Sequence, residues 1–147
     1  MTSEPADPFV TELRVRYAET DQMGVVYHTH YLVWCEVART GLIRALGGSY
    51  AQLEKDGTVL AVANANIRYH ASARYDDQIA VSVWPLSVQS RAVTFEYRID
   101  RVADAEENHK PIRLATASTM LIALDKTGAP RRLPTHLVEQ LRAAIPQ

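Results

Sequence analysis

A single cysteine, Cys35, stands among 147 residues, so no disulfide can close within the chain. That fits a reducing compartment. No apolar run approaches the roughly 20 residues that a bilayer-spanning helix needs. The opening MTSEPADPF carries acidic residues and prolines where a secretory signal would carry an apolar stretch. Neither sign of charge is in excess. A formal net charge of −1 argues against a general nucleic-acid binder, because phosphate affinity needs a concentrated basic surface. A local basic pocket for one phosphorylated small molecule stays open. Internal repeats, low-complexity tracts and interdomain linkers are also missing. These gaps predict a cytoplasmic protein with one domain over 1–147, flexible over 1–8.

What is present suits a packed core: apolar residues make up 47% and charged residues 22%, ordinary globular usage. ELRVRY (12–17) alternates Leu13, Val15 and Tyr17 against Glu12, Arg14 and Arg16, the period of a strand ending at Tyr17. From Thr29 to Leu46 no proline interrupts, and Gly47-Gly48 supplies a stop. Leu32, Trp34, Cys35, Val37, Ala38, Leu42 and Leu46 spread around most of that helix, which predicts a buried one. A short helix over SYAQLEKDG follows, with Ser49 as its cap. Strand patterns then occupy 58–71, 78–86, 92–100 and 112–125, closed by the turn DKTG. The terminal helix (134–145) has Thr135 as the expected cap. One strand, one long helix and four strands do not suit a doubly wound fold. They predict an α+β domain, a five-stranded antiparallel sheet wrapped around the long helix. Trp84, on the outer face, adds the expectation of a homodimer or homotetramer.

Chemistry concentrates in YAETDQMGVVYHTHY (17–31). Asp21 reads first as a turn aspartate. The alternative is a reactive carboxylate beside the start of the long helix, whose first N–H groups lack intrahelical partners and carry the positive end of its dipole. An oxygen developing negative charge would be stabilised there, and Gly24 would let the intervening backbone fold tightly. His28, His30 and Asp21 raise a two-histidine, one-carboxylate metal site. Histidines two apart at a helix start diverge, however, and no further ligand is near in sequence, so no metal is expected. Tyr17 could orient Asp21, while Tyr17, Tyr27 and Tyr31 all read otherwise as ordinary aromatics. Glu36 and Arg39, three apart on the helix, predict an ordinary ion pair, with a second pocket carboxylate at Glu36 as the lesser alternative, and Cys35 reads as a core residue. Arg91, after SVQS, and Arg131-Arg132 are loop arginines of the kind an anionic cofactor tail would use.

These pieces resemble the hotdog-fold acyl-CoA thioesterases of the 4-hydroxybenzoyl-CoA thioesterase type, and more closely the branch found with the bacterial Tol–Pal envelope genes. The resemblance rests on VRYAETDQMGVVYHTHYLVWCEVART and continues in IRYHASARYDDQIAVSV and PRRLP, nearly the whole chain. It implies hydrolysis of an acyl-CoA thioester, with Asp21 as general base or nucleophile and the His28 backbone N–H polarising the carbonyl. Tyr17, Asp21 and His28 form the trio of that branch. Gly24, Tyr27 and Arg91 become the substrate-binding expectations. No separate cofactor is implied, CoA being part of the substrate. Gln22-Met23 and Arg91 depart from common family residues, so the acyl group is not implied. Two rivals remain. A hotdog enoyl-thioester hydratase or dehydratase would place a histidine where Val26 stands, and a non-catalytic acyl-CoA-binding protein would release no thiol.

Overall fold

A computed structural model describes residues 5, 7–107 and 110–147. Most of the segment expected to be flexible, 1–4 and 6, lies outside the described residues. Strand β1 (Phe9–Arg14) precedes the long helix α1 (His30–Ala45) and the short helix α2 (Tyr50–Lys55). Four strands follow, β2 (Val59–Tyr69), β3 (Gln78–Val88), β4 (Ala92–Ala103) and β5 (Ile112–Leu124), then helix α3 (Thr135–Ala143). The sheet runs β1-β3-β4-β5-β2 with every neighbour antiparallel. This is the expected five-stranded α+β arrangement.

Period-two patterning builds the inner face. Val93, Phe95, Tyr97 and Ile99 of β4 are buried, flanked by Val81 and Val83 of β3 and Leu121 of β5. Helix α1 packs on β1, β3 and β4 through Trp34, Cys35, Ala38, Leu42 and Ile43. Gly41 allows the close approach, since a Cβ there would stand 2.9 Å from the Phe9 ring.

Three expectations need correction. Helix α1 is not buried all round as expected: its buried residues sit on one face, and Val33 and Val37 are exposed. The first strand lies earlier than the alternation predicted. The Glu19 carboxylate takes the Arg16 N–H at 2.8 Å, so the chain leaves the sheet there. Tyr17 then opens a 3-10 turn, Tyr17–Glu19, 77% exposed and edge-on to Tyr75. Trp84 is only 5% exposed within the single chain, in a cleft it shares with Pro85 and Ala144, and so is not the exposed outer-face residue expected. Smaller differences concern the caps. Ser49 accepts from the Gln52 N–H as expected, whereas Pro134 precedes α3 and Thr135 is its first residue. No helix among the described residues is long and apolar enough to cross a membrane.

Candidate active site

The loop between β1 and α1 is a tight hairpin. Thr20 bridges Val26, the Asp21 N–H donates to the Val25 carbonyl at 2.9 Å, and the Gly24 N–H donates to the Asp21 carbonyl at 3.0 Å. Gly24 sits at φ +77° with nothing within 4 Å of where a Cβ would be. The glycine therefore answers a backbone demand, not crowding. Asp21 combines both of its predicted roles. Its Oδ1 accepts the Met23 N–H at 2.8 Å, holding the turn, while Oδ2 meets no protein donor among the described residues.

The hairpin returns to the start of α1 under restraint. The Val26 N–H donates to the Ala73 carbonyl and the Tyr27 N–H to the Glu19 carbonyl, both at 2.9 Å. No side chain caps α1 at Thr29. The N–H groups of His28 and Thr29 find no acceptor among the described residues. The hydroxyl of Tyr69, at the end of β2, donates to the His28 carbonyl at 2.8 Å. That bond fixes the peptide plane leading into α1. Burial raises the Tyr69 phenol above its ordinary value, so the donor stays protonated. Tyr69 also stands edge-on to Tyr31, whose hydroxyl accepts the Ala73 N–H at 3.0 Å.

A cleft of about 410 Å³ joins Asp21, Tyr27, His28, Tyr31, Tyr69 and Ser72. Asp21, Tyr27 and His28 thus share one surface, the His28 ring tilted on Tyr27 with centroids 4.5 Å apart. Tyr17 is not among the lining residues. Its ring packs on Tyr75, and its carbonyl accepts the Thr20 hydroxyl at 2.7 Å. Arg91 is elsewhere too. It is exposed in the β3–β4 turn, next to Ala92, which pairs with Ile122, which pairs with Ala61. Tyr69 lies eight residues further along β2, roughly 25 Å at strand rise. Among the described residues no three His, Cys, Asp or Glu side chains gather closely enough to share a metal ion. Burial pushes the Cys35 thiol up to about 12, which leaves it no thiolate for chemistry at neutral pH.

Sequence reasoning passed over Glu19 and Tyr69. Glu19 is 3% exposed; its Oε2 accepts the Trp34 indole N–H at 2.8 Å and its Oε1 the Arg16 N–H. It locks the hairpin onto α1. The available signal was Trp34 itself, since a buried indole N–H needs an acceptor. Tyr69 stood inside a quoted motif, but nothing local announces a hydroxyl bonded to residue 28.

One long helix over a five-stranded antiparallel sheet, with a carboxylate beside that helix's uncapped start, defines a hotdog domain with thioesterase-like architecture. Residues 15–141 match the Thioesterase-like superfamily, and the chain belongs to that family. It is 44% identical over 88 residues to the Bacillus subtilis protein named "Putative acyl-CoA thioesterase YneP", covering 60% of this chain and 64% of YneP. The match thus spans just under two thirds of that relative. Acyl-CoA thioester hydrolase YbgC of Escherichia coli is 29% identical over 131 residues, 88% of this chain and 92% of YbgC. DHNA-CoA thioesterase of Staphylococcus aureus superposes with a TM-score of 0.76 at 38% identity, covering 84% of this chain and 79% of that one.

Proposed function

We propose that this chain is an acyl-CoA thioesterase that hydrolyses its substrate to a free acid and CoA, with Asp21 as the reactive carboxylate. The observation that carries the reading is one cleft holding Asp21 and the unpartnered His28 N–H at the start of α1. In the general-base route Asp21 takes a proton from water, whose oxygen attacks the thioester carbon. The carbonyl oxygen becomes an oxyanion and accepts from the His28 N–H, aided by the helix dipole. Collapse breaks the carbon–sulfur bond, and the departing thiolate takes the proton. In the nucleophilic route Asp21 attacks the carbon itself, and water then cleaves the mixed anhydride. Single turnover in oxygen-18 water bears on the choice: label in the Asp21 carboxylate establishes the second route with water attacking the aspartyl carbon, and mass detection of an acyl-Asp21 species tests that route whichever carbon water attacks. Neither route calls for a cofactor beyond the CoA of the substrate.

A homodimer completes this reading. Strand β2 pairs only with β5 among the described strands, leaving an eleven-residue edge that would otherwise invite non-specific pairing. Val62 and Tyr69 on it, and Val33 and Val37 on α1, are the exposed apolar groups nearby. Antiparallel pairing of two β2 edges would bring the Arg91 end of one copy beside the Asp21 end of the other. Arg91 could then hold CoA phosphate in the assembly, though it cannot reach the cleft of its own chain.

The test is thiol release across a panel of acyl-CoAs with wild type and Asp21→Asn in parallel. Asparagine keeps the acceptor for the Met23 N–H, so the loop should hold while turnover collapses. Near-wild-type turnover in the variant would sink the assignment.

A further inference from the structure

The motif IRYHASARYDDQIAVSV contains a buried carboxylate that the proposed chemistry does not use. Asp77 is 1% exposed and stands just before β3. Its Oδ2 accepts the Arg74 N–H at 2.8 Å and its Oδ1 the Ala105 N–H at 3.1 Å. The Arg101 guanidinium approaches with Nη1 3.9 Å from Oδ2, and its Nε is buried with no partner among the described residues. Charges placed this deep are kept as a pair, because either one alone would be costly.

What the carboxylate holds is the Ala73–Arg74 peptide. The N–H of that peptide goes to Asp77, and its carbonyl accepts the Val26 N–H at 2.9 Å. A charged acceptor at one end of a peptide strengthens the bond made at the other, since hydrogen bonds in a chain polarise one another. The same turn also reaches the end of β1. The Val15 N–H donates to the Asp77 carbonyl at 2.9 Å, and the Asp76 N–H to the Val15 carbonyl at 3.1 Å. Residues 73–77 therefore grip the chain where it leaves for the hairpin, at Val15, and where it returns, at Val26. The Tyr27 N–H being taken by Glu19, the next N–H beyond that grip is the unpartnered one of His28. Burial is the main reason that the Tyr31 phenol lies above its ordinary value, and the Asp77 charge adds to it. The carboxylate thus acts within electrostatic reach of the cleft wall, although it does not line the cleft.

We propose that Asp77 is a positioning residue for the Asp21 cleft, setting the Val26 amide through the Ala73–Arg74 peptide and so fixing the place of the His28 N–H. The proposal rests on the thioesterase reading and adds to it a carboxylate that never meets substrate.

Thiol-release kinetics and amide NMR of Asp77→Asn test it, on the acyl-CoA that wild type turns over best. The new amide nitrogen cannot accept, so either the Arg74 or the Ala105 N–H loses its partner and the charge is gone. The kcat should fall about five- to tenfold, the scale of one weakened hydrogen bond, with KM within about twofold of wild type. The Val26 amide proton should move upfield. Leu137→Ala, on the buried face of α3, controls for lost stability. It should lower thermal unfolding while keeping wild-type kcat and the Val26 signal at a temperature where the variants are folded. Should Asp77→Asn fail to fold, combining it with Arg101→Met removes the orphaned charge and gives the same readouts. Wild-type kcat or an unmoved Val26 signal in the Asp77 variant would overturn the proposal. So would a rise in KM alone, or an equal loss of kcat in Leu137→Ala. A wild type that releases no thiol from any acyl-CoA would instead fail the thioesterase reading, and the Val26 signal would then decide by itself whether Asp77 holds the cleft's amides.

Discussion

Glu19 and Asp21 are two carboxylates separated by one threonine on the same hairpin, yet their surroundings differ in every respect that matters. Glu19 is buried and both its oxygens are taken, by the Trp34 indole and the Arg16 amide. Asp21 is half-buried on a cleft, with one oxygen tied to Met23 and the other free of protein donors. A fully satisfied carboxylate holds structure, because any reaction would first have to break its bonds. A half-satisfied one is held in place and still has an oxygen to react. The pair teaches that position in a motif does not assign a role; the donors around each oxygen do.

Substitutions can break that division of labour, and the largest effect should come at Asp21. Asp21→Asn should lower thiol-release kcat about 10²–10⁴-fold, the range for losing a positioned base, with unfolding in urea unchanged. Loss of stability in place of activity would reverse the assignment. Glu19→Gln should do the opposite first. Its amide nitrogen must face either the Trp34 or the Arg16 N–H, leaving a buried donor unmet, so the unfolding free energy from urea titration should fall by about 1–3 kcal/mol. Wild-type stability in that variant would show Glu19 to be idle. Tyr69→Phe removes the bond to the His28 carbonyl and should cost about five- to tenfold in kcat, roughly 1 kcal/mol, with KM little moved. A change in KM alone would place Tyr69 in binding, not positioning. Gly24→Ala should cost about 1 kcal/mol of stability, and Gly24→Asn less, since space is open there and only φ is strained. Equal loss in both would point to crowding instead.

The fold was legible because its strands alternate cleanly. VTFEYRID in β4 announces its buried face residue by residue, and α1 and α2 end near their glycines. The hairpin's reactive half was legible through its motif, with Asp21 and His28 meeting on one cleft. What stayed hidden depends on long-range pairing. Glu19 finds Trp34 fifteen residues on, Tyr69 at the end of β2 finds residue 28 before α1, and Arg39 turns from its helical neighbour Glu36 toward Tyr50 and Tyr97. Local spacing suggests an ion pair at that last site because it registers helix geometry but not which face the core claims. Tyr17 failed as a strand end for a similar reason: alternation continues through it, but the Glu19 side chain takes the Arg16 amide first.

The sideways placement of α1, set by Gly41 against Phe9, divides labour on a larger scale. The half of the sheet beneath the helix is densely filled, so most changes there would weaken the molecule. The half beside it ends in a groove walled by exposed residues such as Val62, where a larger or smaller side chain meets little resistance. Changes at exposed positions along β2 should therefore weaken the single chain less than changes beneath the helix, so the two regions can drift at different rates.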